Sequence, residues 1–540
     1  MNTTNRTEIR ARSDGRGSDI RQLSVFEWSN LVRKHEQESR EEEMTIKLTP
    51  LKKRRQGGYV MISAMALTLV LIGIGAAFMQ WASDESVQSQ HNYAGIEAYY
   101  LAQTGVIESG LHWLRMQQAG LLPVSEMRLN GGEVVVDHES IGTYDQVKVA
   151  PVLASQESSN IFYSKRKFRI SAVGTVKLPW YEDGEKTEIE VKRKAVLYVS
   201  VRSFSDYMYL TDHEVTPMGE VVRFWGGDTL WGRVHSNDSI QVMGRPIFYD
   251  LVTTGGVIVE GIGANPGWFG GDPVEHVPKI DIPSVATTVR EGAEASGHIY
   301  NEPGQEYRLS LRGSSAVLFY WDEGAPFDSV SAHRINITNG GFTCIFVQGP
   351  LSMQGRVGLE WTIGCSEDIY LIDDVFYDCL DMAHDFTISS TCPDFCGIVS
   401  EKRVIIANTW ANGRDNHSQG RDIVISAAVV ALGDSTGSFT FDQQNDTWDT
   451  YIGPSPDDRG EIHLRGSVTQ RFRGYVHRSN NGSTGYLKDY DYDDRFITHR
   501  PPCFFDAVDQ SGRVKFDVVQ WGQAVEDPND VREKIFVRYN

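Results

Sequence analysis

No Asp, Glu, Lys or Arg interrupts the chain between Gln56 and Ser83, and from Tyr59 to Trp81 the only polar side chains are those of Ser63, Thr68 and Gln80. A run of that length predicts a helix able to cross a bilayer, because about 20 apolar residues at ~1.5 Å rise cover a hydrocarbon core of ~30 Å. The pattern then stays helical: Tyr100, Ile107, Leu111 and Leu114 recur at the spacing of one apolar face, while Gln103, Glu108 and Arg115 are polar. Gly120 and Pro123 supply stop signals. Gly95 and Gly105 weaken a continuous helix, so the alternative is a membrane helix followed by a separate one.

Residues 124–204 alternate apolar and polar positions in "GGEVVVDHE", "YDQVKVAPV", "KFRISAVGTVKL" and "EIEVKRKAVLYVSVRS", which predicts a small antiparallel β head. From 205 to about 500 the strands become very short and are divided by Gly and Asp, as in "LWGRVHSNDSIQVMGRPIFYDLVTTGGVIVEG". Three-to-five-residue strands with glycine corners suit a parallel β-helix-like solenoid, and the alternative is a β-sandwich with long loops. Residues 501–540 follow as a C-terminal β tail. The expected fold class is α+β, mainly β. Residues 1–43 are polar and lack apolar periodicity, which predicts disorder, and Met44 offers an alternative start that leaves a 15-residue leader before Tyr59.

Lys52, Lys53, Arg54 and Arg55 precede the apolar run, and Asp84 and Glu85 follow it. The positive-inside bias therefore places residues 1–55 in the cytoplasm and everything after 83 on the far side. Three signals fit the run. A plain anchor leaves Gly57-Gly58 unexplained. A secretory signal could be cut at Gly75-Ala76-Ala77, but its apolar core should be about 7–15 residues. A type III signal, cut on the cytoplasmic side by a prepilin peptidase, uses Gly58, since a residue without a side chain leaves the peptide bond open to the enzyme.

The stretches "RRQGGYVMISAMALTLVLIGIGAAFMQ" and "ESVQSQHNYAGIEAYYLAQTGVIESGLHWL", about 60 residues of the 540, resemble the type IV pilin-like proteins. Within them the likeness is to the X-type minor pilins and to the K-type minor pseudopilin of type II secretion. The resemblance implies cleavage between Gly58 and Tyr59, methylation of the new N-terminus, and a helix for residues 59–118 whose first part, 59–82, lies in the membrane. Tyr59 replaces the usual Phe. The fifth mature position is Ser63, where major pilins carry a membrane-buried Glu that neutralises a neighbour's ammonium, and its absence implies a place at or near the fibre tip. By the same resemblance the partners are other pilin-like subunits, the prepilin peptidase and the bacterial inner membrane. The destination is a periplasmic or cell-surface filament, and the role is assembly initiation or tip adhesion. The β-rich remainder resembles large C-terminal regions attached to pilin-like N-termini, which implies surface display.

Composition narrows the remaining chemistry. After Gly58 the chain holds 39 basic and 63 acidic residues, about −24, which disfavours nucleic acid as a partner. Cys344, Cys365, Cys379, Cys392, Cys396 and Cys503 all lie in the exported part, and an even number there suggests disulfides. Cys392 with Cys396 in "CPDFC" is the expected local pair, with Cys379–Cys392 or no bond as alternatives. No Cys/His spacing is that of a zinc site, and no cofactor is implied.

Asp373-Asp374 and the run Asp489, Asp491, Asp493, Asp494 are the candidate acids of an enzyme. On a strand, Asp489, Asp491 and Asp493 would share one face opposite Tyr490 and Tyr492 and could hold Ca²⁺. The run is not an EF-hand loop, because Asp494 stands where Gly is needed and Arg500 where Glu is needed, so a solvated acidic turn is the alternative. No nucleophile-elbow, HExxH or phosphate-loop signature occurs. Trp225, Trp231, Trp268, Phe269, Trp361, Trp410 and Trp448 are core residues unless exposed, when they could grip sugar or protein. The competing function is a permanently anchored β-helix protein that binds or degrades surface polysaccharide, or meets a host or partner protein.

Overall fold

The computed structural model describes residues 59–152, 166–182, 185–413, 421–442, 458–478, 484–524 and 533–538. The chain divides into two compact units at Asp84/Glu85. One helix runs from Tyr59 to Thr104. Residues 60–81 expose apolar side chains all round it.

Gly95 and Gly105 do not break this helix. It continues as a π-helical turn over Gly105–Leu111 and returns to α geometry over His112–Arg115. The buried face consists of Ala94, Ala98, Leu101, Ala102, Val106, Leu111 and Leu114. Tyr100 and Ile107, expected on that face, are exposed instead. The π turn, with i→i+5 bonds, rotates the positions after Gly105 against those before it, so a 3.6 period counted across it mixes two faces.

The helix face packs on an antiparallel sheet ordered Met127–Leu129, Glu139–Pro151, Lys167–Glu182, Glu185–Val201, Phe516–Ala524 and Glu533–Arg538, with Gly132–Val136 also paired to Glu139–Pro151. Period-2 alternation puts Phe168, Ile170 and Ala172 of one strand beside Leu197, Val199 and Ala195 of the next, and these close over Ala102, Val106, Leu111 and Leu114. The contact is backbone-close: a Cβ at Gly174 would strike the Ala98 carbonyl and the Ala102 amide. Small residues on both sides make that approach feasible. The segment after 500 is therefore not a separate tail, since Phe516–Ala524 pairs with Glu185–Val201 and completes the head sheet.

Between those two strands lies the large β region. It contains both antiparallel and parallel pairs, but parallel ladders dominate its interior. Val234 pairs with Val252, Ile240 with Ile258, Phe342 with Glu360 and Leu351 with Ile369, each 18 residues apart. One parallel series runs Val252–Thr254, Val234–Ser236, Tyr209–His213, Asp458–Phe472, Ile423–Ala431, Phe395–Ser400, Glu360–Cys365, Phe342–Val347 and Ile299–Tyr300. The first strand of the region thus stands in the middle of the series, beside one of the last. Helix Thr287–Ala295, packed through Val289 and Ala293, lies in the stretch of chain that connects the two ends of the series.

Charged clusters tie the head sheet to this region. Asp506 pairs with both Arg166 and Arg500. Asp517 accepts from Arg202 Nε at 3.2 Å and from Arg233 Nη1 at 3.0 and 3.1 Å. Burial pushes both carboxyls up, but the guanidinium pairs outweigh it and hold each below the ordinary carboxylate range. Their stabilisation is therefore complete above the unfolded carboxyl value of about 4 and is lost as pH falls through their lower folded values. Asp506→Asn should lower the stability of the unit by about 3–5 kcal/mol, because Arg166 and Arg500 lose their counter-charge. Denaturant titration of the variant and the parent at neutral pH, and again below pH ~4 where the difference should shrink, checks both statements.

Candidate functional site

Lys52, Lys53, Arg54, Arg55 and Gly58 lie outside the described residues, and Tyr59 opens the helix. Ser63 sits on its exposed surface. The segment's most apolar window has a mean hydropathy of 2.3 and none of it is buried, so this helix is long and apolar enough to cross a membrane.

The cysteines pair as Cys344–Cys503 and Cys379–Cys392, with Cys365 and Cys396 free and buried. The expected Cys392–Cys396 bridge is not formed. Cys396 belongs to strand Phe395–Ser400, where it pairs with Trp361 and its side chain enters the core, while Cys392 stays in the preceding turn against Cys379. Burial pushes the Cys365 and Cys396 thiols well up, which keeps them unreactive. Asp394 lies beside the Cys379–Cys392 sulfurs, but those sulfurs are bonded to each other and Asp394 accepts from the Leu359 amide at 2.7 Å and the Cys379 amide at 3.1 Å.

The acidic run does not converge on a cation. Strand Thr484–Asp491 ends before Asp493, which is buried, caps the following 3-10 turn and pairs with Arg495 at 2.6 Å. Asp489 accepts from His463 Nδ1 at 2.7 Å and Arg465 Nη2 at 2.6 Å, and these partners hold its carboxyl low against the opposing effect of burial. Asp491 is half-buried, and burial raises its carboxyl. The shared face failed because the alternation stops at Asp491, and each outer acid already has a cationic partner. Of the other pair, Asp374 accepts from the Val424 amide at 2.8 Å and Asp373 from the Asp374 amide at 2.9 Å. Phe386 stacks on His463 with ring centroids 3.9 Å apart, and Arg465 binds the carbonyls of Asp385 and Phe386, both at positive φ. That covered histidine had no signal in the sequence.

The aromatic residues separate into three groups. Trp361 is fully buried, and Trp268 stacks on the inner Phe248 with centroids 4.7 Å apart. Trp231, Tyr249 and Phe269 form an exposed column with centroids 3.6 and 5.2 Å apart. Their faces cover one another, so the column presents mainly edges and serves to stack neighbouring strands. Trp410 is exposed, and Trp448 lies outside the described residues.

Trp225 differs from these, because it is 48% exposed at the mouth of a cavity of about 320 Å³. The cavity forms where residues 221–243 meet residues 473–490, segments that the parallel pairing of Tyr209–His213 with residues 468–472 brings together. Asp228, buried, accepts from the Trp225 amide at 3.0 Å and from Lys488 Nζ at 2.8 Å, which fixes both. Arg473 is buried against Glu214 at 2.7 Å, with its guanidinium 4.1 Å from the Phe224 ring centroid. Tyr475 donates to Glu220 at 2.7 Å. Burial pushes the Tyr209 hydroxyl up to about 12, so it lines the cavity as a neutral group. Arg223 also lines it and has no ion pair among the described residues. Sequence could single out Trp225 alone, since the other members come from segments about 250 residues away.

The chain matches no protein-family model, no curated protein and no solved structure. Peptide mapping of the unreduced protein should recover Cys379–Cys392 and Cys344–Cys503 as linked peptides. Cys365 and Cys396 should be alkylated only after denaturation, and a Cys392–Cys396 peptide would contradict the arrangement.

Proposed function

We propose that this chain is a pilin-like minor subunit, made as an inner-membrane precursor with a cytoplasmic N-terminus and processed after Gly58. Its helix enters a type IV pilus or type II secretion filament, and its β region is displayed outward for assembly initiation or tip adhesion. The observation that carries this reading is the division of one helix into two surfaces. Residues 60–81 are apolar and uncovered, whereas Ala94 through Leu114 pack on an antiparallel sheet. An uncovered apolar helix needs lipid or other helices around it, and a filament core supplies the second after the membrane has supplied the first.

Ser63 in place of a membrane-buried acid agrees with a subunit that has no predecessor's ammonium to neutralise. The 18-residue spacing of parallel pairs supports a β-helix-like winding of the large region, since sandwiches are built mainly from antiparallel strands. Packing and surface contact, rather than catalysis, carry the role.

The test is the N-terminal peptide of the protein from native membranes or sheared fibres. An N-methylated Tyr59 is expected. A terminus at Met1 or Met44 would overturn processing and leave a permanently anchored surface protein.

A further inference from the structure

The cavity beside Trp225 has the dimensions and chemistry of a small-ligand site. Its volume of about 320 Å³ stands at the lower end of the ~300–1,000 Å³ typical of ligand clefts, enough for roughly one or two sugar rings and too small for a folded peptide element. We propose that this cavity binds a carboxylate-bearing sugar, a hexuronate unit of an acidic polysaccharide. The inference does not depend on filament assembly.

Three features select that class. The Trp225 indole lies close over Gly227, where an added Cβ would come within 3.3 Å of the ring, so the backbone supports one face of the ring. The amide bond to Asp228 holds its main chain, and the half-exposed remainder can stack on the apolar face of a pyranose. The polar lining is mixed and already ordered: Tyr475 is held by Glu220, and Lys488 by Asp228, which leaves hydroxyl and ammonium hydrogen-bonding capacity at fixed positions. Ligand hydroxyls need such an arrangement, because each must be satisfied once water is displaced.

The charge balance then separates acidic from neutral sugars. Arg473 is neutralised by Glu214 and Lys488 by Asp228, but Arg223 keeps an uncompensated guanidinium at the cavity wall of a chain whose net charge is −20. A guanidinium with free donors takes a carboxylate through paired hydrogen bonds. One such cation is too few for nucleic acid, whose binding scales with the number of phosphates neutralised.

The experiment is calorimetric titration of the detergent-solubilised full chain with trisaccharides of galacturonate, glucuronate and mannuronate, alongside the neutral glucose trisaccharide. Binding of at least one uronate, about tenfold tighter than the neutral sugar, is expected. Trp225→Ala should weaken both classes by about tenfold. Arg223→Gln should remove the preference for uronate and leave neutral binding unchanged. Trp231→Ala, in the stacked column, should leave both affinities as they are. The Arg223 variant alters an unpaired surface cation and keeps the test decisive should Trp225→Ala fail to fold. Failure of all three uronates to bind, equal affinity for neutral and acidic sugars, or affinities insensitive to Arg223→Gln would overturn the proposal. A protein that binds uronate while keeping an unprocessed N-terminus would uphold this inference and refute the filament role.

Discussion

The architecture turns on the parallel pairing of Tyr209–His213 with residues 468–472, which joins segments some 250 residues apart. Gln470 donates to the Tyr209 hydroxyl at 2.5 Å, and Arg473 and Glu214 form an ion pair that is buried on both sides. A buried pair gains little net stability over an apolar substitute, because desolvation of two charges offsets their attraction. Removing one partner is costly. The pair therefore acts on register: a slip of one residue would bury two separated charges, so the first strand of the region can seat against only one partner strand. Everything that distinguishes the cavity, including the meeting of Trp225 with Lys488 and Tyr475, follows from that register.

The head depends on a different constraint, the closeness of the helix to the sheet. Ala98 and Ala102 on the helix and Gly174 on the strand allow backbone to approach backbone, and Gly105 meets Tyr144 and Ala172 at the start of the π turn. Larger residues would hold the elements apart and leave voids that cost stability in proportion to their volume. The π turn is the response to that crowding. It inserts a wider turn where the sheet surface requires a shift, and Leu111 and Leu114 return to the buried face beyond it.

What could be read in the sequence follows from locality. The apolar run, the continuation of the helix and the four strands up to Val201 depend on neighbours within a few residues, and each was legible in hydrophobic period and glycine placement. The short strands with glycine corners were visible too, but not their partners, because a ladder of 18-residue steps interrupted by hairpins has no constant period. The same limit hid the Cys379–Cys392 pair, which requires knowing that Cys396 faces inward on a strand. It also misplaced Asp493, whose direction is set by a 3-10 cap and Arg495 rather than by strand alternation. The role of Trp225 was the hardest to see. A tryptophan near glycine reads the same whether it is core or cavity rim, and only residues far along the chain decide which.

The order of the chain adds a coupling between the two parts of the larger unit. Glu185–Val201 and Phe516–Ala524 are neighbours in the head sheet, yet the whole β region lies between them in sequence. The sheet cannot gain its later strands until that region has closed through the 209–213 pairing and brought its exit near its entrance. Non-local closure of this kind is slow, since the entropy of ordering the intervening chain is lost before the contacts that reward it form. The Asp506 and Asp517 clusters then fasten the returning segment, each drawing guanidinium groups from both sides of the insertion. The head's completed edge is thereby conditional on a folded β region, so a protein whose helix and sheet are intact is also one whose outward part has been built.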